Sequence, residues 1–442
     1  MTVRLINFRV QPGGRLRGSM RVPGDKSISH RSVMLGALAA GVTEISGLLE
    51  ADDVLATIGA FRVMGVPMKW SAAGSQQRHL LIHGAGLHGL SRPPAILDMG
   101  NSGTAMRLMA GILAGQDFDS ELSGDQSLLK RPMARVAAPL NAMGARVETA
   151  AGLPPLKIRG GQALHGIDYA LPVASAQVKS AILLAGLYAN GTTTVTEPTP
   201  TRDHTERMLR GFGYPVESEG SRVRLVGGNA LRACSIQIPA DISSAAFFIV
   251  GAAMVPDSEI VLEHVGINPT RIGVINILQQ MGAALAMENV REIGGEPVAD
   301  IRVAGGNLHG IVIPPDQVPL AIDEFPALFV AAAAASGKTI LTGATELRVK
   351  ESDRIAVMAQ GLRTLGITVE ELPDGIVIEG GLLRGGVVDS QGDHRVAMAF
   401  AIAGLCAAGP IAIRDCKNVD TSFPGFVSLA ARAGLSIIES VE

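Results

Sequence analysis

The run PGDKSISHR, residues 23–31, gathers Asp25, Lys26, Ser27, Ser29, His30 and Arg31 behind a Pro-Gly break and just ahead of the apolar stretch SVMLGALAAG. If a helix starts at Ser27, its unpaired N–H groups and positive dipole end form an anion site. Lys26 then stands at the entrance, and Arg31, four residues on, shares the face of Ser27. An ordinary N-cap with solvated charges reads the same residues without a ligand. A nucleotide phosphate loop is excluded, because no glycine stands five residues ahead of GDKS, and SGKT at 336–339 fails in the same way.

The same arrangement recurs. GNSGTAMRLMAG (100–111) has Gly100 and Gly103, where a ligand could approach the backbone, and Arg107 inside an apolar run. An unpaired charge there is costly, so Arg107 either pairs within the fold or faces a ligand. In GDQSLLKRPM, Lys130 and Arg131 taken alone read as a solvated turn. ASAQVKSAILLAGL (174–187) places Ser175, Ala176, Gln177 and Lys179 at another helix start. TRDHTERML holds Arg202, Asp203, His204 and Glu206, which lack HExxH metal spacing and read as a local salt-bridge set. The second half brings carboxylates: Asp323 and Glu324 in AIDEFPALF, Glu351 and Asp353 beside Arg348, Lys350 and Arg354 in LRVKESDRIAVM, and Asp393 before His394 and Arg395 in GDHRVAMAF. Acidic groups at one helix start mean little, since capping alone favours them. Taken jointly, the cation- and amide-bearing helix starts imply one cleft built for a multiply anionic ligand.

The elements that carry these residues repeat. An apolar–Gly–apolar turn occurs at Gly65, Gly144, Gly213, Gly282, Gly366 and Gly434, at intervals of 79, 69, 69, 84 and 68 residues. A strand and a glycine turn follow, as in LKIRGGQALHG and IRVAGGNLHG; the sixth copy of this tail is found at the N-terminus, as FRVQPGGRLRG. Each period also holds a nearly all-apolar helix, beginning near Ser27, Gly103, Ser175, Ser243, Phe325 and Arg395. Helices apolar all round are core helices. The unit is therefore a buried helix, a more amphipathic helix ending at the repeated glycine, and short strands. Pro23-Gly24 and Pro239 are the expected crossing points, giving one domain of residues 24–238 and another of 1–23 plus 239–442.

Composition narrows the function. The chain has 442 residues, 47% hydrophobic and 18% charged, which argues for well-buried globular domains. A net charge of −3 and 3% aromatic residues give nothing to recruit nucleic acid. Cys234, Cys406 and Cys416 show no metal or disulfide spacing and fit a reducing compartment. The start MTVRLINFRVQPGG lacks the features of a signal or transit peptide, and the uncharged run 396–413 is broken by Gly409-Pro410, so a cytoplasmic protein without a membrane span is expected.

The ordered motifs PGDKSISHR, GNSGTAMRL, RPM, SAQVKSAILLAGL, RDHTE, IDEFP, LRVKESDR and DHRVAMAF resemble 5-enolpyruvylshikimate-3-phosphate synthases, from about residue 10 to the C-terminus. The resemblance implies a two-domain, inside-out α/β barrel of six βαβαββ-type repeats, three per domain, with the N-termini of parallel buried helices facing an interdomain active site. It implies transfer of the enolpyruvyl group of phosphoenolpyruvate to the 5-hydroxyl of shikimate 3-phosphate, in the shikimate pathway of aromatic amino-acid biosynthesis. No metal or organic cofactor and no macromolecular partner is implied, and a monomer is expected.

By resemblance, Lys26, Ser27, Arg31, Ser175, Ala176, Gln177, Arg202, Asp323 and Lys350 bind shikimate 3-phosphate. Lys26, Gly103, Arg131, Gln177, Arg354 and Arg395 bind phosphoenolpyruvate, arginine forks matching phosphate and carboxylate. Asp323 matches the family's base and Glu351, helped by Lys26, its acid. Ala176 in place of a serine and Thr421 in place of a lysine before the late TSFP resemble a divergent, glyphosate-tolerant branch. The related UDP-N-acetylglucosamine enolpyruvyl transferases use a loop cysteine near SGDQSLLKRPM; this chain has no cysteine before Cys234, which disfavours that alternative.

Overall fold

The computed structural model describes residues 6–72 and 78–441. Among these, twelve α-helices fall into the two kinds expected from the repeat. Six are core helices: α1 (Lys26–Leu38), α3 (Gly103–Ala114), α5 (Ala176–Gly186), α7 (Ile242–Ala253), α9 (Phe325–Ala334) and α11 (His394–Ala403). All residues of α7 are buried, as are Phe325–Ala333 of α9. Each Phe or Leu so withdrawn from water contributes about 1.5–3 kcal/mol. The other six are α2 (Asp52–Val63), α4 (Ala134–Ala142), α6 (His204–Gly211), α8 (Gly273–Gln280), α10 (Arg354–Thr364) and α12 (Phe426–Ala433). These have a polar face, and each stops at or just before one of the six repeated glycines, whose φ values run from +75° to +116°. A left-handed residue there ends the helix at no side-chain cost.

The chain folds into two compact units. One holds residues 24–238 and 293–296, the other 1–23, 239–292 and 297–442. Each has its own hydrophobic core.

In the first unit three four-stranded sheets surround the core helices. Each has one parallel edge: Ser235–Gln237 along Ala40–Ser46, Leu97–Asp98 along Ser120–Ser123, and Asp168–Ala170 along Thr192–Thr196. The remaining pairings are antiparallel. α3 packs on α5 at close range, because a Cβ on Gly111 would lie 2.2 Å from the Ala181 carbonyl oxygen.

The second unit repeats this plan. Arg17–Met20 runs parallel to Glu259–Gly266, and Gly386–Asp389 to Ile411–Arg414. Its third sheet has three strands, Lys338–Leu341, Gly375–Glu379 and Thr368–Leu372, and the parallel edge is reduced to bridges of His309 with Ser336 and Val312 with Ile340. Ile6–Gly14 lies antiparallel between Ile411–Arg414 and Leu435–Val441, so the first described strand completes the last sheet. α7, α9 and α11 pack on one another, with Phe247, Phe248, Phe423 and Phe426 clustered beside them. No described helix is long and apolar enough to cross a membrane.

Candidate active site

The first unit gathers cationic side chains at the starts of α1, α3, α5 and α6. Asp25 caps α1, its side chain accepting from the Ile28 N–H at 2.8 Å. The Lys26 ammonium pairs with the buried Asp53 carboxylate. Arg31 is buried and held at three points: Nε donates to Thr205 Oγ1 (2.7 Å), Nη2 to Ser180 Oγ (2.8 Å) and Nη1 to the Ser27 carbonyl (2.9 Å). Burial pulls its pKa down to about 10, against the pull of Glu206 and Asp25, so it stays cationic at neutral pH.

His30, the most conspicuous titratable group in the opening motif, is part of the scaffold. It is fully buried, with Nδ1 2.8 Å from Thr57 Oγ1 and Nε2 3.3 Å from Ser102 Oγ, joining α1 to α2 and to the N-cap of α3. Burial, then the charges of Lys26 and Arg31, hold its pKa well below the usual value, so the ring is neutral.

At the start of α3, Ser102 is the N-cap, and its side chain accepts from the Ala105 N–H at 3.1 Å. Gly103 lies between two guanidiniums: a Cβ there would be 3.0 Å from Nη1 of both Arg107 and Arg131. Arg107 takes the paired alternative. Its Nη1 donates to Gln177 Oε1 at 2.5 Å and its Nη2 to the Pro132 carbonyl at 3.3 Å. Gln177 in turn donates to Thr104 Oγ1 at 2.8 Å. This brings Gly103, Arg131 and Gln177 together, a link between α3 and α5 that residue spacing does not reveal. Arg131 is buried and donates to Asn101 Oδ1 at 2.8 Å, whereas Lys130 is exposed. The solvated-turn reading therefore fits Lys130 and fails for Arg131.

Ser175 caps α5, its side chain accepting from the Val178 N–H, and Ala176 and Gln177 open the helix. Arg202 is half-buried in the turn before α6. That turn is anchored from below by Lys179, whose Nζ lies 2.7 Å from Glu197, 2.8 Å from Glu206 and 3.4 Å from the Thr201 carbonyl. Burial opposes its charge, but Glu206 and Glu197 outweigh it and raise the pKa above the ordinary lysine value. The RDHTE cluster is only partly the local salt-bridge set expected. Asp203 pairs with Arg207 one turn on at 2.8 Å, whereas His204 meets Glu296 at 2.8 Å and Glu206 meets Lys179.

The second unit gathers carboxylates around Arg354, the first residue of α10. Its guanidinium is 1% exposed. Nε donates to Asp393 Oδ2 at 2.8 Å, Nη2 to Glu351 Oε2 at 2.6 Å, and Nη1 to Asp323 Oδ1 at 3.5 Å. Burial works against its charge, but Asp393, Glu351 and Asp323 prevail and raise its pKa further. Burial likewise disfavours a charged Asp393, but Arg354 holds its pKa below the ordinary carboxylate value. Asp393 also caps α11, accepting from the Arg395 N–H at 2.9 Å. Lys350 Nζ lies 3.4 Å from Asp323 Oδ1. The Arg395 side chain donates to the Asp323 carbonyl at 2.9 Å, with Glu324 at 3.9 Å. All five residues expected from this part of the chain, Asp323, Lys350, Glu351, Arg354 and Arg395, are thus joined within one unit. Asp393 and Glu324, its buried supports, read in the sequence only as helix-start acids. Among the described residues, no group of His, Cys, Asp and Glu could hold a metal ion.

Each unit is an α/β fold with cations or carboxylates at its core-helix starts, and the fold is shared with an enolpyruvyl transferase of known structure. NikO, an enolpyruvyl transferase from Streptomyces tendae, shares the fold at a TM-score of 0.79 over 100% of both chains, with 16% identity. The profile of the family described as EPSP synthase (3-phosphoshikimate 1-carboxyvinyltransferase) matches residues 10–429, and the chain belongs to that family. The 3-phosphoshikimate 1-carboxyvinyltransferase of Methylococcus capsulatus is 64% identical over 431 residues, 97% of this chain and 98% of that relative. That of Alkalilimnicola ehrlichii is 63% identical over 434 residues, covering 98% and 96%. An EPSP synthase structure from Acinetobacter baumannii matches at a TM-score of 0.87 with 57% identity, covering 98% of this chain and 100% of that one.

Proposed function

We propose that the two clusters are half-sites of one reaction, in which the enolpyruvyl group of phosphoenolpyruvate passes to the 5-hydroxyl of shikimate 3-phosphate and phosphate is released. The observation that carries this reading is the pairing of Asp323 and Glu351 on the single guanidinium of Arg354, with Lys350 and Arg395 also on Asp323. Two carboxylates held among cations suit a reaction that needs a base and an acid beside anionic substrates.

Lys26, Ser27, Arg31, Ser175, Ala176, Gln177, Arg202 and Lys350 hold shikimate 3-phosphate, and Asp323 receives the proton of its 5-hydroxyl. Lys26, Gly103, Arg131, Gln177, Arg354 and Arg395 hold phosphoenolpyruvate. As the 5-oxygen bonds to C2 of phosphoenolpyruvate, Glu351, helped by Lys26, protonates the methylene carbon, giving a tetrahedral intermediate. Elimination returns both protons: the new methyl group loses one to Glu351, Asp323 gives one to the departing phosphate, and the C2–O bond to phosphate breaks. No cofactor enters the reaction.

Finer features belong to the same proposal. Ala176 removes one hydroxyl at the start of α5, and Thr421, where some others of the family carry lysine, donates to the Asn418 carbonyl at 2.7 Å within its own turn. Both support the divergent, glyphosate-tolerant branch. Residues 24–238 and the two chain ends act as the functional domains, in a cytoplasmic monomer. The deciding assay is phosphate release from phosphoenolpyruvate. Release with shikimate 3-phosphate as acceptor and none with a UDP-linked amino sugar is expected; the reverse pattern would overturn the reading.

A further inference from the structure

Arg348 lies in the LRVKESDR run, yet neither half-site uses it. It closes the short turn Thr345–Val349, and its guanidinium meets acceptors on two sides. On one side Nε donates to the Pro373 carbonyl at 2.7 Å and Nη2 to the Leu372 carbonyl. These carbonyls belong to the tight connection between strands Thr368–Leu372 and Gly375–Glu379. On the other side Nη1 donates to Asp353 Oδ2 at 2.7 Å. Asp353 is itself fixed, because its Oδ1 caps α10 by accepting from the Ala356 N–H at 3.0 Å.

One guanidinium therefore ties off a loop at both ends. The residues between are Val349, Lys350, Glu351 and Ser352, and the next after Asp353 is Arg354. The same hairpin connection also grips the segment just ahead, since Asp374 accepts the Gly343 N–H through Oδ2 and the Ala344 N–H through its carbonyl, both at 2.7 Å. On the far side, Ser352 Oγ donates to Asp393 Oδ2 at 3.1 Å. Three acceptors around one planar fork suit arginine, whereas a lysine ammonium cannot span them in that geometry.

We propose that Arg348 is a positioning residue for the transfer reaction, holding the 349–352 loop against the hairpin so that Glu351 reaches the methylene carbon. The proposal rests on the reading of Glu351 as the acid. Arg348 itself touches no substrate. Misplacement of a proton-transfer group by about 1 Å can cost about a hundredfold in rate, so a loosened loop is enough to slow the chemistry.

The test follows the proton. In heavy water with both substrates present, reversible formation of the intermediate puts a deuteron from Glu351 on the methylene carbon, and return of the methyl group to the alkene leaves it there. Wash-in of deuterium into phosphoenolpyruvate, turnover, and calorimetric affinity for shikimate 3-phosphate are compared in the native protein, Arg348→Lys, Asp353→Asn and Glu351→Gln. Arg348→Lys and Asp353→Asn are expected to lose wash-in and turnover together by at least about tenfold, and to lose less in affinity for shikimate 3-phosphate, to which the loop gives Lys350 alone of its ligands. Normal wash-in in Arg348→Lys, with loss in Glu351→Gln, would overturn the positioning role and leave the acid assignment standing. Normal wash-in in Glu351→Gln would overturn the acid assignment and the inference with it. Equal losses of wash-in and of shikimate 3-phosphate affinity would reduce Arg348 to a general brace, which also overturns the proposal.

Discussion

The Arg354 guanidinium lies 2.6 Å from the Glu351 carboxylate and is all but sealed from solvent. The acid assigned to the reaction is thus presented by a cation that cannot turn away, since Asp393 grips the other edge of the fork. Asp323 shares the same guanidinium at 3.5 Å. Neutralising either carboxylate should leave the clamp in place and remove a proton-transfer group. Asp323→Asn and Glu351→Gln are each expected to lose at least about a hundredfold in turnover. Affinity for shikimate 3-phosphate should survive Glu351→Gln. Near-normal steady-state turnover in both variants would show that neither carries the proton.

Gly103→Ala tests the cation cluster of the first unit. The new methyl would sit 3.0 Å from Nη1 of both Arg107 and Arg131, so it crowds the two guanidiniums together with any small anion beside them. Overpacking of this kind typically costs about 1–3 kcal/mol. Phosphoenolpyruvate and its mimic glyphosate should both bind more weakly, the bulkier glyphosate more so. Unchanged titrations for both would mean that the two side chains simply swing aside and that Gly103 serves the turn alone.

Lys179 should be a centre of stability in the first unit. Replacing it with methionine strands Glu197 and Glu206 in the interior, a kind of loss that costs about 3–5 kcal/mol when a buried pair is broken. The sign of its pH dependence follows from its raised pKa: the stabilisation is complete below the ordinary lysine value and fades as pH rises through the folded one. Native protein should therefore lose stability in alkali more steeply than Lys179→Met, whose melting temperature is already lowered at neutral pH. Identical melting temperatures at neutral pH would contradict this.

His30 gives the opposite sign. Its folded pKa is depressed, so its contribution is complete above the ordinary histidine value and is lost as pH falls through the folded one. Over that window one extra proton is bound on unfolding, a slope of up to about 1.4 kcal/mol per pH unit. His30→Gln removes that contribution, so its denaturant-unfolding free energy should vary less with pH just below the ordinary histidine value. An unchanged slope would mean that His30 stays neutral in both states or is charged in both.

Local rules made much of this molecule legible in the chain itself. Six glycines at near-regular spacing marked six helix ends, because a left-handed turn is a single-residue requirement. Six apolar runs marked six core helices, because a helix without a polar face has only one place to go. Ser175 and Asp393 marked helix starts, where both prove to be caps, and the resemblance of ordered motifs pointed to the family to which the chain belongs.

Pairing over long sequence distances was decided only by tertiary structure. Whether Arg107 is paired within the fold was not legible in its motif; its contact is with Gln177, 70 residues away. Arg131 read as solvated because its burial depends on the start of α3, not on its neighbours. His30 stands among charged residues in its motif, and only the packing of α2 and α3 against it keeps it neutral. Asp393 and Arg354 are 39 residues apart, and nothing in either motif states that one neutralises the other. Caps, turns and apolar faces are set by a few adjacent residues, whereas the charge state of a buried group depends on whatever the fold brings within a few ångströms of it.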